Sequence, residues 1–207
     1  MVGRLNSCST EIGNLRDNEM STLIGICGVH RSGKTTLAKK FVEKNPDWTF
    51  IPHETQKLAG KSLVTSMSLQ ERLELQLDIT EKHKEFILKA KSEDKNVIVD
   101  RTPLDILTYL LCEFGMKSDV SLSNKVMDCI EDNFHFLNIH FNEIFLINPL
   151  LTYKEEEGKP DKNLAYQHHF HFCLKGLFVD SRVNIKKRTI PQLEIDKRVE
   201  DMQRSWG

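Results

Sequence analysis

The chain reads as an α/β protein, a three-layer sandwich with a five-stranded parallel sheet covered by helices on both faces. Strand-like and helix-like stretches alternate five times along the 207 residues, the pattern of a parallel sheet with right-handed crossovers. Gly28-Val29-His30-Arg31-Ser32-Gly33-Lys34-Thr35 matches the phosphate-binding pattern G-x-x-x-x-G-K-[ST] between a strand and a helix. The polar candidates fall just past the carboxyl ends of strands, the edge where open parallel sheets bind ligands.

The first strand is the apolar run from Ser21 to Cys27, and helical spacing resumes after the motif and runs to Lys44. The glycines let the backbone curl until its N–H groups face a phosphate, and the helix beginning at Lys34 adds its positive end. Lys34 is placed to reach the terminal phosphates and the Thr35 hydroxyl to hold Mg²⁺. His30, Arg31, Ser32 and Thr36 complete the nucleotide-binding set. Asn45-Pro46-Asp47 makes a turn, and Trp48 to Ile51 a second strand that places Glu54 just beyond its end.

The stretch from Gln56 to Ser66 is loop-like. Ser68 with Glu71 three residues on has capping-box spacing and opens a long helix to about Lys91. Leu69, Leu73, Leu77, Phe86 and Ile87 form its apolar face; Glu81, Lys82, Lys84, Glu85 and Lys89 form its charged face. Asn96 to Asp100 is a compact strand ending in a carboxylate, the place from which an acidic residue holds Mg²⁺ beside a phosphate loop. Thr102 caps the next helix, with Pro103 at its first position.

A further helix spans Ser121 to Phe136, followed by a buried strand from Glu143 to Ile147. The charged, aperiodic stretch from Tyr153 to Lys162 has the length of a lid. Asn163 to Asp180 is helical, Val183 to Ile190 an edge strand, and a final amphipathic helix ends near Trp206. His168-His169-Phe170-His171 draws notice as a histidine cluster, but no Cys or carboxylate is read at a supporting spacing, so metal is not expected there.

Composition narrows the class. A chain of this length buries roughly 70% of its unfolded surface, enough for one domain with a full core. Residues 1–20 are polar and aperiodic and read as a flexible leader, with residues 21–207 as the domain. A formal net charge of −1 gives no general attraction to nucleic acid or anionic membranes. Five scattered cysteines without a C-x-x-C pair suit a reduced, cytoplasmic protein, and no apolar run reaches membrane-spanning length.

The loop G-V-H-R-S-G-K-T-T, the strand ending in Asp100-Arg101-Thr102-Pro103 and the charged loop after the fourth strand together resemble the P-loop small-molecule kinases. Within that class the chain is similar to the branch of nicotinamide riboside kinases and deoxynucleoside kinases, with the likeness running from Leu23 to about Trp206. The resemblance implies ATP and Mg²⁺ as cofactors, phosphate binding by Gly28 to Thr35, and Asp100 in the metal shell. It also implies contact of Arg101 with substrate or transferring phosphoryl, and Glu54 as acceptor of the proton from the attacking hydroxyl. Lids of such kinases commonly carry arginines, whereas this loop has Lys154, Lys159 and Lys162.

The acceptor implied is a hydroxyl on a nucleoside, nucleotide or related small molecule. Two alternatives stand beside it: a hydroxyl on a modified base in DNA, with Lys57 and Lys61 lining a groove, and a nucleotide-switched ATPase module gripping a protein partner. The sequence admits a homodimer without fixing the oligomeric state.

Overall fold

The computed structural model describes residues 21–53, 67–92, 96–114, 120–149 and 163–205. Glu54, the loop at 56–66, the lid-like segment at 153–162 and the leader at 1–20 lie outside the described residues. Within them the sheet strands are β1 (Leu23–Cys27), β2 (Trp48–Ile51), β3 (Asn96–Asp100), β4 (Glu143–Ile147) and β5 (Lys186–Ile190). The helices are α1 (Lys34–Lys44), α2 (Leu69–Lys91), α3 (Pro103–Phe114), α4 (Val120–His140), α5 (Leu164–Val179) and α6 (Ile195–Gln203).

The sheet order is β2-β3-β1-β4-β5, and every neighbouring pair is parallel. β1 therefore lies at the centre, with Ile26 beside Asp100 of β3 and Phe145 of β4. Its alternating residues feed two separate cores, as the strand period of two requires. Leu23 and Cys27 join Val97, Val99, Ile144 and Leu146 under α2, α3, α4 and α5. Ile24 and Ile26 join Ile98, Phe145 and Ile147 against Leu37, Ala38 and Phe41 of α1 and Val199 and Met202 of α6. The three expected layers are present.

Local signals fix several boundaries. Ser68 accepts from the Glu71 amide while the Glu71 carboxylate accepts from the Ser68 amide, closing the expected capping box of α2. Asn163 caps α5 by accepting from the Tyr166 amide. α4 continues to His140, four residues past the expected end at Phe136, because Leu137 is a fully buried part of the core.

Two assignments on α2 change. Phe86 is 42% exposed rather than inward, and Lys84 is buried, bound to Asp132 of α4 and to Glu81 at 3.0 Å. Packing of α4 on α2 covers a position that a single-helix pattern gives to solvent, and the ion pairs satisfy the ammonium. β5 begins at Lys186 rather than Val183, since the Asn184 amide donates to Asn138 Oδ1 at 2.7 Å instead of joining the ladder.

Among the described residues, no helix is long and apolar enough to cross a membrane.

Candidate functional site

The loop after β1 turns sharply under glycine control. A Cβ on Gly28 would stand 2.9 Å from Ile147 Cγ1 and 3.0 Å from Ser32 Oγ, so only glycine lets the loop pass the end of β4. Arg31 and Gly33 take positive φ of 61° and 89°, the left-handed turn that aims the chain into α1. Gly33 stands at the N-cap of α1 without a side-chain hydrogen bond, and a helix start with that cap is suited to an anion.

Lys34 is buried, its Nζ donating to the carbonyls of Gly28 at 2.7 Å and Val29 at 2.9 Å. Burial pulls its pKa below the ordinary lysine value, opposed by the negative charge of Asp105 and reinforced by Arg101. The ammonium thus rests on two neutral carbonyls inside the loop. Thr35 and Thr36 are exposed at the start of α1, and the Thr35 hydroxyl donates to Asp100 Oδ2.

Asp100 comes from the adjacent end of β3 and is 6% exposed. Its Oδ1 is buried without a hydrogen-bond partner among the described residues. An ionised oxygen in that position is costly unless a cation or donor meets it. With the Thr35 hydroxyl beside it, this hard oxygen pair fits a divalent ion of the Mg²⁺ class.

Arg101 adopts φ 74°, a rare conformation for a residue with a Cβ. Its amide donates to Ile26 O at 3.0 Å and its guanidinium lies 5.2 Å from the Tyr109 ring. Positive φ allows the backbone to stay tied to β1 while the side chain packs on α3. His30 is half-buried, its ring 5.7 Å from Tyr166, and its carbonyl accepts from Gln167 Nε2 at 3.4 Å. Burial and then the cations Lys34, Arg101 and Arg31 push its pKa down.

Of the residues expected from sequence, Lys34, Thr35, Asp100 and Arg101 come together at the ends of β1 and β3. Gly28, His30, Arg31, Ser32, Gly33 and Thr36 form the loop and helix start beside them. Glu54 lies outside the described residues.

Three further residues shape the site. Asp105 is fully buried and accepts from the Gly28 amide at 3.1 Å, the Thr102 amide at 2.8 Å and the Thr102 hydroxyl at 3.1 Å. Burial raises its pKa against the pull of Lys34. The signal was Thr102 followed three residues later by a carboxylate, the spacing of a capping box.

His83 sits on α2 with its Nε2 3.2 Å from Arg101 O and its ring 5.2 Å from that of His53. Burial lowers its pKa to about 4, and burial with the charge of Arg101 lowers that of His53 to about 2. Its signal was helical spacing between Ile79 and Ile87 on the covered face.

Arg198 of α6 is 1% exposed and donates to Ser32 O at 2.6 Å, Gln192 O at 2.6 Å and Asn148 O at 3.2 Å. Burial lowers its pKa. No local pattern marks it, because two of its three partners, Ser32 and Asn148, come from distant segments.

No protein-family model matches the chain, nor does any curated protein. Solved structures do. Deoxyadenosine kinase from M. mycoides, with bound dATP, superposes with a TM-score of 0.68 at 13% identity, over 89% of this chain and 98% of its own. Thymidylate kinase from Ehrlichia chaffeensis gives 0.55 at 15% identity, over 90% and 99%. The NadR protein in complex with NR gives 0.60 at 14% identity, over 84% of this chain; the match spans only 45% of NadR. The five-stranded parallel sheet with its covering helices is thus the fold of deoxyadenosine kinase and thymidylate kinase and of the matching part of NadR, as the motifs lead one to expect.

Proposed function

We propose that the chain is an ATP- and Mg²⁺-dependent phosphotransferase that moves the γ-phosphoryl group to a hydroxyl of a nucleoside, nucleotide or related small molecule. The observation that carries this reading is the meeting of Thr35 Oγ1 with Asp100, whose second oxygen is buried without a partner among the described residues. A phosphate loop alone serves many hydrolases and switches. Its union with a β3 carboxylate, an adjoining Arg101 and the fold shared with deoxyadenosine kinase and thymidylate kinase supports transfer.

Phosphoryl transfer asks chiefly for positioning and for neutralisation of spreading negative charge. The amides of the loop and of the first turn of α1 hold the phosphates, with Lys34 moving from its carbonyl rests to the terminal oxygens. Thr35 and Asp100 hold Mg²⁺, which supplies charge neutralisation at the phosphates when bound. Arg101 extends from the tip of β3 toward the transferring group. Glu54, next after His53, accepts the proton of the attacking hydroxyl.

The test is incubation with γ-labelled ATP, Mg²⁺ and a panel of nucleosides, nucleotides and a modified-base DNA duplex. Label in a free nucleoside or nucleotide is the expected result. Label only in DNA would transfer the reading to the polymer, and label only in free phosphate would overturn it. Glu54→Gln should lower kcat by about 10²–10⁴-fold, the usual scale for a proton acceptor, with ATP affinity kept.

A further inference from the structure

Away from the phosphate loop, α3 and α5 bring three soft or borderline ligands together. The ligand atoms of Cys112, His169 and Cys173 all lie within 4.8 Å of one another. Cys173 Sγ stands 3.9 Å from His169 Nε2, one helical turn away on the same face. Both cysteines are free and partly exposed, and His169 is exposed, so the cluster is open to solution. The reading of the histidine run from sequence overlooked that Cys173 follows His169 at i+4. Cys112, more than fifty positions earlier, is supplied only by helix packing.

We propose that Cys112, His169 and Cys173 bind a single thiophilic divalent ion, zinc first among them, with water as fourth ligand. Tetrahedral zinc takes sulfur at about 2.3 Å and imidazole nitrogen at about 2.0–2.1 Å, which sets ligand atoms roughly 3.3–3.8 Å apart. The gathered atoms, at most 4.8 Å apart, therefore need to draw in by at most about 1.5 Å, within the reach of side-chain rotation. Each thiol gives up its proton to solvent as its sulfur binds the ion. Two thiolates and an imidazole favour zinc over magnesium, so the site differs in kind from the oxygen pair of Thr35 and Asp100.

The ion would clamp two helices that buttress the phosphate loop. Tyr109, one turn before Cys112, carries the Arg101 guanidinium on its ring. Tyr166, one turn before His169, packs on His30. Between them Tyr109 and Phe170 hold the seam, their ring centroids 4.6 Å apart. A bound ion closes this seam one turn further along and resists separation of α3 from α5.

The experiment uses the full chain, reduced, freed of metal by a chelator, and titrated with Co²⁺ and then Zn²⁺. One equivalent of Co²⁺ should give tetrahedral ligand-field bands with thiolate-to-cobalt charge transfer, and one equivalent of Zn²⁺ should erase them and raise the melting temperature. Cys112→Ser, Cys173→Ser and His169→Gln should each weaken Co²⁺ binding by at least about 10-fold. Absence of thiolate charge transfer in the reduced protein overturns the proposal. So does its survival in the Cys112→Ser/Cys173→Ser double variant, whose circular dichroism verifies folding. The signal comes from sulfur ligation and is read without turnover, so it stands or falls apart from the kinase assignment.

Discussion

Single residues at the site trade stability for chemistry. Lys34 is a buried ammonium resting on two carbonyls, with burial acting against its charge, a placement that makes sense for a group waiting for phosphate. Lys34→Met should leave the stability of the nucleotide-free protein unchanged or raised in denaturant titration, while labelled transfer falls about 10²–10³-fold. Burial acts in the same sense on His83. Its folded pKa of about 4 lies below the ordinary 6.5, so between those values the unfolded chain takes up a proton that the folded chain refuses. The stability His83 leaves intact above pH 6.5 is lost as pH falls toward 4, by about 3 kcal/mol. His83→Gln keeps a donor for Arg101 O and should flatten that part of the pH–stability curve, measured by urea unfolding across the range.

At the scale of elements, contacts between β1, α3 and the loop decide what the site tolerates. Gly25 leaves room for Thr102; an added Cβ would stand 2.4 Å from Thr102 Cγ2 and 2.9 Å from the Phe141 ring. Gly25→Ala should therefore destabilise by about 1–3 kcal/mol, read as a lower unfolding midpoint. Asp105 joins α3 to the loop through three buried donors, and Asp105→Ala leaves all three unmet. A loss of about 3 kcal/mol is expected, since each orphaned donor costs about 1–3 kcal/mol and some relaxation follows. These elements also show what the sequence makes legible. The β1–loop–α1 unit, the Ser68 capping box and the β3 carboxylate are set by residues within a few positions, and all appear as read. Lys84 and Phe86 were misassigned because α4 decides which side of α2 is covered. Cys112 and Cys173 meet only because α3 packs on α5.

For the whole molecule, the central position of β1 sets the geometry. The chain passes from β1 through α1 to β2 and β3 on one side, and reaches β4 and β5 on the other, so the crevice opens where the strand order diverges. One side chain bridges that divergence from behind. Arg198 ties the loop at Ser32, the end of β4 at Asn148 and the segment after β5 at Gln192, reaching across 166 residues to Ser32. A planar fork suits three carbonyls from different directions, and a lysine point charge cannot meet all of them. Arg198→Met should cost about 3 kcal/mol, because carbonyls served by a charged donor are left without it. Arg198→Lys should recover part of that stability yet raise the KM for ATP about 10-fold with less change in kcat, because the loop loses its rear support rather than a group that touches phosphate. Paired denaturant titration and steady-state kinetics separate the two effects. Unchanged KM in Arg198→Lys would show that the phosphate loop holds its shape without this brace.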